Sequence, residues 1–212
     1  VVGNTRIVPM SNQAGQSNLR RRLSEAGLNV AKGDPAVGMI LDEVKALEAE
    51  GYSYDTAQAS FELLARKVLG QMPQLFEVKR YRVTVERRKN KYDQMITLSE
   101  AVVVVKVDDE KRLSVSESMD ETGGDRGPVN ALSKALVKDL GQYSALLEDW
   151  RLVDFKVRIT QGGTEAVTRV IIDSEDAQGQ RWSTVGVSAN IVDASFEALL
   201  DAIRWKLIRD KG

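Results

Sequence analysis

The spacing of hydrophobic and polar positions along this chain changes twice over, and each change marks a set of elements. Over residues 19–69 the apolar residues recur at three- and four-residue steps, the spacing of one helix face. Asn18 stands as the cap of a helix that carries Leu19, Leu23 and Ala26 and stops at Gly27. Asp34 and Pro35 open a second helix, with Val37, Ile40, Leu41, Val44 and Leu47 as its buried stripe and Gly51 as its stop. Asp55 is placed to cap a third, whose stripe is Ala57, Phe61, Leu64 and Val68 before Gly70. Residues 1–16 are polar and turn-rich and read as a connector.

Beyond Pro73 the period falls to two. Tyr81, Val83 and Val85 alternate with Arg80, Arg82, Thr84 and Glu86, and residues 96–107 hold the unbroken run Ala101 to Val105. Leu113, Val115 and Met119 alternate in a third strand after the polar turn at residues 108–111. A helix then opens at Gly127-Pro128-Val129-Asn130 and carries Leu132, Ala135, Leu136 and Leu140. The same plan returns with strands over residues 152–160, 164–173 and 181–187. A helix from Ile191 closes it, with Val192, Phe196, Leu199, Ile203 and Leu207 on one face. Asp193, Glu197 and Asp201 sit in its first half and Arg204, Lys206 and Arg209 in its last, matching the helix dipole. Asn130-Ala131-Leu132 and Asn190-Ile191-Val192 occupy equivalent places in two copies of one β-β-β-α unit. The predicted fold is α+β: connector and helical subdomain over residues 1–74, then the twofold repeat over residues 75–212, divided at about residue 148.

Composition narrows the chemistry. With 212 residues, 42% hydrophobic, the chain can fill one large core or two small ones. A net charge of -1 gives no general attraction to nucleic acid or anionic lipid. The absence of cysteine removes disulfides and thiolate chemistry, and the absence of histidine removes the commonest general base and metal ligand. No stretch approaches the about 18 consecutive apolar residues of a membrane span, and no signal peptide is legible. These features predict a cytoplasmic chain that binds neither membrane nor nucleic acid. The first residue is Val rather than Met, which predicts a piece of a longer protein.

The charged clusters have plain readings. Arg20-Arg21-Arg22 points in three directions around a helix and reads as solvated surface. Asp108-Asp109-Glu110 lacks the spacing of a calcium loop and reads as a hairpin turn. Arg87 to Lys91 lies at a strand end with only Tyr92 nearby, too little stacking surface for a nucleic-acid site. Gly123 to Pro128 matches no phosphate-loop or dinucleotide fingerprint. It reads either as a turn or as an anion site, since free amides meet the positive helix end there.

Four separated motifs then carry a resemblance. Gly163 to Val170, followed by Trp182 to Ser195, closely resembles the C-terminal LeuA-type regulatory domain of citramalate synthases, within the wider 2-isopropylmalate and homocitrate synthase family. Gly127 to Leu132 is similar to the family's first-repeat helix entry. Gly51 to Asp55 with Ala59 to Leu64 resembles its helical linker, and Val2 to Asn4 with Ala14 to Asn18 the segment after its barrel. The resemblance implies a parent acyltransferase that joins the acetyl group of acetyl-CoA to a 2-keto acid. The catalytic TIM barrel, with its divalent metal and acetyl-CoA, lies outside this chain, which itself carries no catalysis and no cofactor. It further implies a homodimer that binds an end-product branched-chain amino acid near the dimer interface: isoleucine for citramalate synthases, leucine for isopropylmalate synthases.

Such an effector needs donors for its carboxylate, an acceptor for its ammonium and an apolar pocket. The helix entries supply Gly127, Pro128, Val129 and Asn130 on one side and Val187, Ser188, Asn190 and Ile191 on the other. Asp125 or Asp120 is expected to receive the ammonium, and Val129, Leu132, Val187 and Ile191 to line the pocket. An equally plain reading makes Val129, Leu132 and Ile191 ordinary core. A dimerisation module without ligand, a nucleic-acid binder and an independent enzyme are the competing classes.

Overall fold

A computed structural model describes residues 12–31, 33–120, 127–161 and 166–211. Three helices lead: α1 (Asn12–Glu25), α2 (Pro35–Glu50) and α3 (Gln58–Val68). The first unit is β1 (Glu77–Lys89), β2 (Met95–Val107), β3 (Glu110–Asp120) and α4 (Pro128–Lys138), followed by a 3-10 helix over Gly141–Leu147. The second is β4 (Arg151–Gln161), β5 (Val167–Glu175), β6 (Arg181–Ser188) and α5 (Ile191–Lys211). Each unit forms its own antiparallel sheet, in the orders β1-β2-β3 and β4-β5-β6, so the α+β class and the repeated plan are both present.

The repeat extends to single residues. β1 is bulged between Val78 and Arg80 and β4 between Leu152 and Asp154, which makes Tyr81 the counterpart of Phe155. Buried small and apolar residues align Ala131, Ala135 and Leu136 of α4 with Ala194, Ala198 and Leu199 of α5. On this register Asn130 corresponds to Asp193, which corrects the pairing of Asn130 with Asn190. Asn190 lies outside its helix and caps it, accepting from the Val192 amide at 2.8 Å.

The two helices form the middle layer between the sheets. α4 lies on the first sheet and α5 on the second, and they touch each other, so one core joins Val103, Leu132 and Leu136 to Val170, Leu199 and Ile203. α5 comes down on β6 so closely that a Cβ on Gly186 would stand 2.0 Å from the Ala194 carbonyl oxygen. Only a glycine permits that approach. Around it, Trp182 Nε1 donates to the Ala202 carbonyl at 3.1 Å and Thr184 Oγ1 to that of Ala198 at 2.8 Å, so buried polar groups are satisfied by the helix they touch.

The outer faces of the sheets differ. Against the second sheet lie α1 to α3, whose Val37, Ile40, Phe61 and Leu64 pack with Val185, Ile171 and Val187. Arg169 of β5 donates to the carbonyls of Gly51 and Tyr52, which locks the α2 terminus to the sheet. Gly51 ends α2 with φ 117, a left-handed conformation that favours glycine. Among the described residues no helix covers the outer face of the first sheet.

Several local expectations are corrected. Asn18 lies inside α1, which already runs from Asn12. Asp55 does not cap α3: the helix starts later, after Ala57, and Asp55 stands 3.5 Å from Arg22 Nη1 instead. Arg22 is not solvated surface, because its guanidinium sits 3.9 Å from the Phe61 ring centre and donates to the Tyr54 carbonyl at 2.6 Å. In β3 the apolar residues Leu113 and Met119 face outwards, 59% and 44% exposed, while Ser114 and Ser118 face the core. α4 ends at Lys138, so Leu140 is buried from the following turn rather than from the helix. β5 is seen from Val167, the start expected at residue 164 lying outside the described residues. Asp108 and Asp109, with φ of 50 and 66, form the turn from β2 to β3. No helix among the described residues is long and apolar enough to cross a membrane.

Candidate ligand-binding site

The aligned repeats expose one large difference. In the second unit Phe196 of α5 reaches across to β1, its ring centre 4.0 Å from that of Tyr81, and the Tyr81 hydroxyl donates to Asp193. Burial and that carboxylate raise the Tyr81 pKa, so the hydroxyl stays protonated as a donor. In the first unit the position of Phe196 is held by Ser133, whose hydroxyl folds back onto the Asn130 carbonyl at 2.9 Å. A serine cannot reach the Tyr81 counterpart, Phe155. The gap between α4 and β4 remains open as a cavity of about 710 Å³.

Its walls are mostly apolar: Val129 and Val137 from α4, Leu152 and Phe155 from β4, Trp150 before it and Ile191 from the start of α5. The α4 N-terminus opens into it through Pro128, Val129 and Asn130. Gly127 at the cap position makes no side-chain hydrogen bond, so the first-turn amides of Val129 and Asn130 have no partner among the described residues. α5, by contrast, has its own entry closed by Asn190. Two further groups on the cavity residues are buried without a partner among the described residues: Asn130 Oδ1, an acceptor, and Trp150 Nε1, a donor. Lys134 and Arg151 bring positive charge to the lining. Arg151 pairs with Glu175 at 3.0 Å, and Lys134 makes no ion pair among the described residues. Free amides at a helix start, cationic side chains and apolar walls suit an anionic group carried on an apolar body.

Of the residues expected from sequence, Pro128, Val129, Asn130 and Ile191 line this cavity together, and Gly127 caps the helix that opens into it. The others do not line it. Leu132 is fully buried in the core on the sheet side of α4. Val187 packs towards the α1–α3 layer and donates to Glu197 at 2.9 Å. Ser188 accepts from the Asn190 amide, and Asn190 is occupied as the α5 cap. Asp125 lies outside the described residues, as does the side chain of Asp120. Sequence reasoning missed Ser133, Lys134, Val137, Trp150, Arg151, Leu152 and Phe155. The usable signal was the mismatch of Ser133 with Phe196, which appears only when the repeats are aligned by burial.

The sequence model of one family, described as the LeuA allosteric (dimerisation) domain, matches residues 41–207. The chain belongs to that family. It is 38% identical to an (R)-citramalate synthase of Aquifex aeolicus over 100% of its own length and 38% of the relative's. An (R)-citramalate synthase of Geobacter sulfurreducens is 39% identical over 98% of this chain and 38% of that protein. A 2-isopropylmalate synthase of Methanocaldococcus jannaschii is 26% identical over 96% of this chain and 36% of the relative. The chain thus spans well under half the length of the curated relatives it matches. Among the described residues no group of three or more acidic side chains is arranged to hold a metal.

Proposed function

We propose that this LeuA-type domain is the regulatory part of a citramalate synthase, and that its α4–β4 cavity binds a branched-chain amino acid, isoleucine above the others, as a feedback signal. The parent enzyme would condense acetyl-CoA with pyruvate in the cytoplasm, on a catalytic barrel that holds the divalent metal. The observation that carries the reading is the cavity left where Ser133 replaces the Phe196 type of contact. In that cavity the effector carboxylate meets the open start of α4 with Lys134 at hand, and its ammonium meets Asn130 Oδ1. The branched side chain lies against Val129, Val137 and Phe155. Leucine, the second reading, is favoured by the relatives named 2-isopropylmalate synthase. One methyl position separates the two, a difference of about 1–3 kcal/mol.

A homodimer belongs to this reading, as the family's description suggests. Beyond Phe155 the same face of β4 carries Val157, 41% exposed, and Ile159, 72% exposed, while Ile191 at the cavity is 46% exposed. A second copy seated on this apolar face would close the cavity, so that binding and pairing favour one another.

Titration calorimetry of the chain with isoleucine, leucine and valine tests the proposal. Isoleucine is expected to give the tightest binding event, and Ser133→Phe, which fills the cavity as Phe196 fills its counterpart, is expected to remove that event. Saturable binding that survives Ser133→Phe unchanged overturns the placement, and no heat with any of the three leaves a dimerisation module without ligand.

A further inference from the structure

A separate cavity of about 340 Å³ lies in the seam between the α1–α3 layer and α5, and it shares no lining residue with the α4–β4 cavity. Leu47 of α2, Leu63 and Leu64 of α3, and Leu200 of α5 give it an apolar wall. Its polar groups are incompletely matched. Tyr54, only 3% exposed, lines it with a hydroxyl that has no hydrogen-bond partner among the described residues. Asp201 uses one carboxylate oxygen, Oδ2, to accept from Ser60 Oγ at 2.6 Å, and its Oδ1 has no partner among the described residues. Glu197, one helical turn earlier, is already engaged by the Tyr52 hydroxyl at 2.6 Å and the Val187 amide at 2.9 Å. Lys67 of α3 and Arg204 of α5 also line the seam; the Arg204 guanidinium stands 5.7 Å from the Phe76 ring centre, and neither cation makes an ion pair among the described residues.

Among the described residues, a carboxylate oxygen and a hydroxyl without hydrogen-bond partners, two cations outside any ion pair and an apolar wall complement a molecule that carries an ammonium beside a carboxylate on a small apolar body. We infer that this seam is a second binding site, for a small zwitterion of the α-amino acid class. Its ammonium is held by Asp201 Oδ1 and the Tyr54 hydroxyl, and its carboxylate by Lys67 and Arg204. Tyr54 and Lys67 belong to the helical layer, Asp201 and Arg204 to α5. An occupant therefore ties the α1–α3 layer to the second unit, and occupancy favours the docked arrangement of the two.

The charges around Asp201 give the site a second signature. Burial raises its pKa and the Ser60 hydrogen bond opposes this; Glu197 adds to the rise, while Arg204 and Lys67 counter it, leaving Asp201 at about 7. Glu43 of α2 faces the same cavity. An ammonium placed on Asp201 favours the ionised form, so binding near pH 7 releases a proton.

The test is calorimetric titration of L-valine into four proteins: the chain itself, the Ser133→Phe chain, the Tyr54→Phe chain, and the chain that carries both substitutions. Isobutylamine and isobutyrate, each lacking one of the two charges, serve as control probes. Tyr54→Phe removes only the hydroxyl and keeps the ring that stacks on Tyr52, with 5.8 Å between centres. The expected result is that Ser133→Phe retains one binding event, accompanied by proton release, and that Tyr54→Phe weakens it about tenfold or more. Binding that disappears with Ser133→Phe but is untouched by Tyr54→Phe alone overturns the seam site and leaves the α4–β4 reading standing. Binding that disappears with Tyr54→Phe alone does the reverse. Equal affinity for either single-charge probe overturns the zwitterion, and no heat from L-valine with any protein overturns the site.

Discussion

Val115 and Val185 occupy the same place in the two units, each paired across its sheet with an apolar residue, Val102 and Ile171 respectively. Val185 is 1% exposed because the α1–α3 layer covers it, whereas Val115 stays half-buried on a face with no such cover. The second unit is therefore a layer within a stack, and the first an end of it. Burial at this pair is set by what docks on the sheet, since both positions hold valine in the same register. The helix junctions differ in a parallel way. Where α5 meets β1, Phe196 and Tyr81 close the contact; where α4 meets β4, Ser133 leaves it open. A duplicated architecture with one filled and one unfilled junction yields one structural contact and one cavity.

The sharpest way to break this comparison is a charge at each of the paired positions. Val185→Asp is expected to destabilise the chain by about 4 kcal/mol, because it buries an unpaired carboxylate beneath the helical layer. Val115→Asp is expected to cost less than about 1 kcal/mol, and urea denaturation of both variants is the check. Similar losses for the two would show that the first sheet is covered as well. The next effect concerns how closely each helix approaches its sheet. Gly186→Ala is expected to cost about 3 kcal/mol, since the new methyl meets α5 backbone that cannot swing aside. At the matching position of β3, Ser116→Ala is expected to be close to neutral by thermal melting.

A third effect is a pH dependence confined to the seam of the covered unit. The folded-state pKa of Asp201, at about 7, lies above its ordinary value of 3.8. Between those values the folded chain holds a proton that the unfolded chain has lost, so this group's contribution to stability is complete below about 4 and is lost as pH rises through about 7. Asp201→Asn is expected to flatten that decline, read as denaturation midpoints at pH 5 and pH 8. An unchanged slope would mean that another group titrates there.

The elements were legible in the chain because their signals are local. Proline and aspartate at the start of α2, a two-residue period in the strands and a three-to-four period in α5 depend on near neighbours and survive any packing. The weaker local signs misled where a distant partner competed for the residue. Asp55 resembled a cap but faces Arg22. Part of the cavity was also legible, since Pro128, Val129, Asn130 and Ile191 mark helix entries. Its other wall was not. Trp150, Leu152 and Phe155 lie in another unit and reach α4 only when the two sheets enclose both helices.

By itself the sequence determined the order of the elements, the twofold repeat, and the lack of histidine and cysteine chemistry, because each is fixed residue by residue along the chain. Only the tertiary structure decided which sheet face is covered, which helix entry opens into a cavity, and which carboxylate of α5 is left half-engaged. Those outcomes depend on volumes and hydrogen bonds shared between residues more than a hundred positions apart, such as Ser60 with Asp201 and Tyr52 with Glu197.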